Sequence, residues 1–215
     1  MDEAVELAGY AEESGADGIV AVTPYYWKVN DDSLLEFYKA IGQACSLPMV
    51  VYNFPALTEQ RLNSRLLQRL AEDVPTLAGI KDTIDSYSHI IDVIMRVKAV
   101  HPDFSVVAGI DVYLLGTLFV GGDGLIGSTA NFMPKPEIDL YQTFLDKDFD
   151  RMVECHRKIT MLSQVGAMSV PPVAAFKEAG LAMGCPGTSY VRPPLARVSP
   201  EGVERIKKIL EEALE

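Results

Sequence analysis

Lys81 closes a short apolar run that reads Gly79-Ile80-Lys81-Asp82. An amine at the end of a buried strand is partly desolvated, which favours the neutral form that attacks a carbonyl carbon. The competing reading is a lysine whose ammonium snorkels to solvent or pairs with Asp82. Tyr52 ends an equivalent run, Tyr52-Asn53-Phe54-Pro55. A phenol there is placed to relay protons, and its plain alternative is an amphipathic core residue with a wetted hydroxyl. A further run leads into Thr23-Pro24-Tyr25-Tyr26. If these runs are parallel strands, their polar ends share one rim, and strand carboxyl ends are where parallel α/β proteins handle substrate.

The elements that must hold this rim can be read from pattern. Apolar runs fall at residues 18–22, 49–52, 77–81, 105–109 and 124–127. Such runs suit buried parallel strands better than half-exposed antiparallel ones. Between them lie helical stripes, one of Leu62, Leu66, Leu67 and Leu70 and the next of Ile90, Ile94 and Val97. Strand–helix alternation predicts βαβ units in a parallel sheet. An open doubly wound sheet and a closed (β/α)8 barrel both satisfy that pattern. No Gly-x-Gly-x-x-Gly follows a strand, which weighs against dinucleotide binding. Gly121-Gly122-Asp123-Gly124 precedes a strand and reads as a tight turn. From about Pro134 the strand signal stops. Residues 140–144, 149–162, 173–183 and 203–214 read as helices, the last opened by Ser199-Pro200. The expected organisation is one domain over 1–215, with βα units in 1–133 and the final helices in 134–215.

Composition narrows the class. The 215 residues carry a net charge of −11 and are 48% hydrophobic, enough to bury one sizeable core. An acidic balance argues against a nucleic-acid partner, which needs clustered Lys and Arg. Cys45, Cys155 and Cys185 match no metal or redox spacing, and His89, His101 and His156 are dispersed, so no metal site is expected. The cysteines read as reduced thiols of a cytoplasmic protein. No apolar run approaches the roughly 20 residues of a membrane span, and the acidic start of the chain is not that of a signal peptide.

Taken in order, Thr23-Pro24-Tyr25-Tyr26, Tyr52-Asn53-Phe54-Pro55, Gly79-Ile80-Lys81-Asp82, Gly109-Ile110-Asp111 and Gly124-Leu125-Ile126-Gly127-Ser128 with Asn131 form a series. It resembles the dihydrodipicolinate synthase and N-acetylneuraminate lyase family of class I aldolases. The resemblance implies a TIM-barrel fold, with Lys81 forming a Schiff base with pyruvate or another 2-keto acid. It implies Tyr52 as proton shuttle and Tyr26 as a tyrosine offered across a dimer interface, hence a homodimer or homotetramer. Ile126 matches the position whose backbone carbonyl lies near bound pyruvate. Gly109, Asp111 and Ser128 complete the implied substrate-binding set, the last two as hydroxyl contacts. No cofactor is implied, because the iminium itself withdraws electrons.

Departures from the family pattern choose among its branches. Synthases usually carry an arginine shortly after the Tyr-Asn-x-Pro motif to grip a carboxylate, and Leu57 stands there. Sialic acid lyases tend to have an acidic pair after the glycine of the next strand, and here Val112 follows Asp111. The Tyr25-Tyr26-Trp27-Lys28-Val29 and Lys81-Asp82-Thr83-Ile84-Asp85-Ser86 stretches look most like aldolases of 2-keto-3-deoxy sugar acids. The alternatives are a dihydrodipicolinate synthase-like or sialic acid lyase-like activity, or a non-catalytic member of the family. Five strand-like runs fall short of the eight of a closed barrel. Residues 1–14 read like the helix before a fourth strand. The expectation is therefore an N-terminally truncated barrel of about five of eight βα units plus a C-terminal helical segment. It would lack a Gly-Thr-Thr-Gly-Glu-type loop for the pyruvate carboxylate and be poorly active alone.

Overall fold

The structure is a computed structural model that describes residues 1–215. Two compact units divide the chain, Met1–Leu125 and Ile126–Glu215. In the first unit helices and strands alternate: α1 Asp2–Glu13, β1 Ile19–Val22, α2 Asp31–Ala44, β2 Met49–Asn53, α3 Pro55–Thr58, α4 Ser64–Asp73, β3 Leu77–Asp82, α5 Tyr87–Val97, β4 Ser105–Ala108, α6 Leu114–Phe119 and β5 Gly124–Leu125. A 3-10 turn, Asp111–Tyr113, precedes α6. Local chemistry fixes several boundaries. Asn30 and Asn63 cap α2 and α4, their side-chain oxygens accepting from the Ser33 and Leu66 amides. Gly15, with φ of 78°, supplies the left-handed turn between α1 and β1.

Every neighbouring strand pair is parallel, in the order β1-β2-β3-β4-β5. A strictly sequential order has no point where the winding reverses, which a doubly wound sheet requires. It is the order of a barrel wall. Five strands are present, leaving β1 and β5 as edges.

The two sheet faces differ. Met49, Val51, Ile80 and Val106 are fully buried and pack with Leu34, Tyr38, Leu66, Leu70, Ile90 and Val97 of the helices. Burial holds the Tyr38 phenol far above its usual range, so it stays protonated. On the opposite face, register aligns Val22, Tyr52, Lys81 and Val107, none of them fully buried. Strand limits depart slightly from the sequence pattern. β2 and β3 each run one residue further, to Asn53 and Asp82, while β5 is only Gly124–Leu125. Ile126 and Ser128 thus lie beyond it.

The second unit is helical: α7 Lys135–Asp146, α8 Phe149–Ser163, α9 Val173–Ala182 and α10 Pro200–Leu214, with 3-10 segments Thr129–Asn131 and Gln164–Met168. Asp148 caps α8 by accepting from the Arg151 amide. Ser199 caps α10 by accepting from the Gly202 amide, with Pro200 at its first position as expected. Phe132, Leu162, Val165, Ala175, Ile206, Ile209 and Leu210 form this unit's core. No helix of the chain is long and apolar enough to cross a membrane.

Candidate active site

β2 and β3 set the centre of the site. Their register pairs Tyr52 with Lys81 and Asn53 with Asp82. Because side chains alternate along a strand, the first pair projects to the open face and the second to the helix-covered face. Lys81 Nζ sits 4.3 Å from the centroid of the Tyr52 ring. Phe54 stacks on the same ring, with centroids 5.7 Å apart and planes at 29°. The tyrosine face is thus offered to a cation, and a ring quadrupole attracts positive charge at this range. An iminium formed on Lys81 would carry its charge against the same surface.

Asp82 does not pair with Lys81. Its carboxylate accepts from Asn53 Nδ2 at 2.7 Å, and its other oxygen lies 3.3 Å from His89 Nε2. Asn53 Oδ1 accepts from the Leu62 amide at 3.0 Å. The Thr83 amide donates to the Asn53 carbonyl and the Gly109 amide to the Asp82 carbonyl, each at 2.8 Å. The sequence gives no cue to this network, because its members fall 28 and 29 positions apart or at spacings without a motif.

The remaining candidates are placed as follows. Gly109 follows β4, and a Cβ there would meet Thr83 Oγ1 at 1.8 Å. Its bare backbone is demanded by packing, whatever else it does. Asp111 is buried at the start of the turn after β4. Tyr26 is 82% exposed with φ of 77°, its ring edge-on to Trp27 at 5.4 Å. Tyr25 and Trp27 are exposed beside it. Ile126 and Ser128 belong to the second unit, where Ile126 is exposed and the Ser128 carbonyl accepts from Asn131 Nδ2 at 3.0 Å. The structure therefore brings Lys81 and Tyr52 into contact and leaves Tyr26 at the surface. A further polar pair without a cue in the sequence joins Tyr113 and Asp85: the Tyr113 hydroxyl donates to Asp85, which raises the phenol above its usual range. Leu57, where an arginine would grip a carboxylate, is exposed at 73%. No three His, Cys, Asp or Glu side chains cluster to hold a metal ion.

The chain is similar to several known proteins. A probable 2-dehydro-3-deoxy-D-pentonate aldolase, YjhH, of Escherichia coli K12 is 40% identical over 209 residues, covering 97% of this chain and 69% of that protein. A putative 2-dehydro-3-deoxy-D-gluconate aldolase, YagE, of the same organism is 37% identical, covering 98% of this chain and 70% of the relative. The crystal structure of YagE in complex with pyruvate superposes with a TM-score of 0.94 at 36% identity, over 98% of this chain and 70% of that one. Dihydrodipicolinate synthase from Thermotoga maritima superposes at 0.90 with 30% identity, over 97% and 70% respectively. The Dihydrodipicolinate synthetase family matches residues 1–213, and with its parallel wall of strands and its lysine on β3 this chain belongs to that family.

Proposed function

We propose that the protein is a Schiff-base-forming aldolase that cleaves a 2-keto-3-deoxy sugar acid to pyruvate and an aldehyde. The observation that carries this reading is the contact between Lys81 Nζ and the Tyr52 ring at the carboxyl ends of adjacent strands. Its similarity to YjhH and YagE supports the choice of substrate class.

The Lys81 amine adds to the C2 carbonyl of the keto acid, and loss of water gives a protonated imine. Loss of the C4 hydroxyl proton lets the C3–C4 bond break. The aldehyde leaves, and the bonding pair moves into the imine to give an enamine. Protonation at C3 and addition of water then release pyruvate and restore the amine. Tyr52 is assigned the proton transfers, which such groups accelerate by about 10²- to 10⁴-fold. Ile126 is assigned to the pyruvate end through its carbonyl, and Gly109, Asp111 and Ser128 to the surrounding substrate contacts. Leu57 offers no charge to a second carboxylate, so condensation of pyruvate with aspartate semialdehyde is not expected.

Assembly follows from the exposed aromatic loop. Tyr26, flanked by Tyr25 and Trp27, is assigned to an interface with a second copy, giving a dimer or a dimer of dimers, in the cytoplasm where the three free thiols stay reduced.

The deciding experiment is borohydride reduction with pyruvate, followed by intact-mass and peptide mapping. An adduct on Lys81, absent in Lys81→Arg because guanidinium stays protonated, supports the reading. A folded protein without an adduct would overturn it and favour a binding protein on the same scaffold. Pyruvate release from a panel of 2-keto-3-deoxy acids then names the sugar. Efficient turnover of aspartate semialdehyde would move the protein to the synthase branch.

A further inference from the structure

Behind the open face, four side chains form a directional chain. The Leu62 amide donates to Asn53 Oδ1, which fixes Asn53 Nδ2 as the donor to Asp82 Oδ1. At the far end Arg61 Nη2 lies 3.1 Å from His89 Nδ1. Guanidinium can only donate, so Nδ1 accepts and the ring proton sits on Nε2. Nε2 lies 3.3 Å from Asp82 Oδ2, a close polar approach without hydrogen-bond alignment, and neither atom has a hydrogen-bond partner elsewhere. Asn53 and Asp82 are wholly buried and His89 nearly so. Position 82 therefore accepts from Asn53 on one side and faces the imidazole nitrogen on the other, and only a carboxylate offers an acceptor to each.

Asn53 and Asp82 are the immediate neighbours of Tyr52 and Lys81, in the same register on the opposite face. Fixing the first pair fixes the backbone from which the second projects. We propose that Asn53, Asp82, His89 and Arg61 are positioning residues for the reaction. They clamp the ends of β2 and β3 so that Lys81 meets the Tyr52 ring. The inference rests on the assignment of Lys81 as the Schiff-base lysine, and one of its tests does not.

Asp82→Asn cannot satisfy the chain. Its amide must meet either the His89 or the Asn53 donor. Shifting the His89 proton sets it against Arg61, and flipping Asn53 sets its amide against the Leu62 N–H. His89→Leu removes the link to Arg61. His89→Gln keeps an acceptor and a donor on one side chain and serves as the conservative rescue. A small misplacement of reacting groups costs up to about 100-fold in rate. We expect Asp82→Asn and His89→Leu to lower kcat and the rate of borohydride trapping by about 10- to 100-fold, with KM changed less. His89→Gln should recover most of that loss.

The independent readout is the NMR shift of the Lys81 ε-methylene protons, which the Tyr52 ring displaces upfield. Asp82→Asn and His89→Leu should abolish the displacement and His89→Gln retain it. Leu70→Ala, a core truncation in α4, is the control for destabilisation and should leave the shift in place. Wild-type protein without a pyruvate adduct would sink the Schiff-base assignment, and the NMR comparison would still decide the clamp. An unmoved Lys81 shift in folded Asp82→Asn and His89→Leu, or an equal change in Leu70→Ala, would refute it.

Discussion

At the scale of single residues, two side chains on neighbouring strand ends define the proposed site, and their placement depends on small steric facts around them. Gly109 is one. A methyl group at that position would fall 1.8 Å from Thr83 Oγ1 and 2.8 Å from Thr83 Cβ. Forcing atoms into a packed site typically costs about 1–3 kcal/mol, occasionally more. Gly109→Ala is expected to destabilise the fold by about 3 kcal/mol in urea titrations. Adding Thr83→Ala should recover part of that, since it removes the nearest clash and a buried hydroxyl without a partner. If Gly109→Ala proves neutral, the packing account of this glycine fails. The strand-end positions of Lys81 and Tyr52 are legible in the sequence because each ends an apolar run. Asp82 was read only as a possible partner of Lys81. Its true partners come from a strand 29 positions away and from a helix that folding brings beneath the sheet.

Elements were legible where periodicity is strong. All five strands fall on the expected runs, and α4, α5 and the C-terminal helices follow their stripes. α2 carries an equal signal in Leu34, Leu35, Tyr38 and Ile41, with Asn30 as its cap. The short α6 and the 3-10 segments span too few residues to show a period. β2 and β3 extend one residue past their apolar runs because Asn53 and Asp82 are polar and only their mutual hydrogen bond marks them as strand residues. α8 supports a prediction of its own. Burial lowers the His156 pKa below its ordinary 6.5, and Nδ1 is buried without a partner. As pH falls the unfolded chain takes up that proton first, so stability is intact above 6.5 and is lost as pH drops through the folded value. His156→Leu should flatten the decline in thermal midpoint between about pH 7 and 5. An unchanged pH profile would show that this histidine titrates normally.

At the scale of the molecule, the sheet presents β1 as an open edge with Val20 and Val22 exposed at 59% and 37%. A groove of about 830 Å³ runs beside it, lined by Leu7, Ile19, Val20, Val22 and Phe37 among others. Unpaired strand edges with apolar side chains invite association. The 215-residue chain should therefore show concentration-dependent association in light scattering, and Val20→Lys should reduce it without lowering the thermal midpoint. A single species of one mass at all concentrations, unaltered by Val20→Lys, would contradict this. A different consequence follows from the division of labour across the sheet. Tyr52 and Lys81 face one way and Asn53 and Asp82 the other because strand side chains alternate with a period of two. A one-residue insertion or deletion within β2 or β3 would exchange those roles, turning the phenol or amine into the core and an amide or carboxylate outward. A two-residue change would restore the facing. Tolerance to length variation in these strands is thus a question of parity, and odd-length changes should vanish from any library selected for turnover.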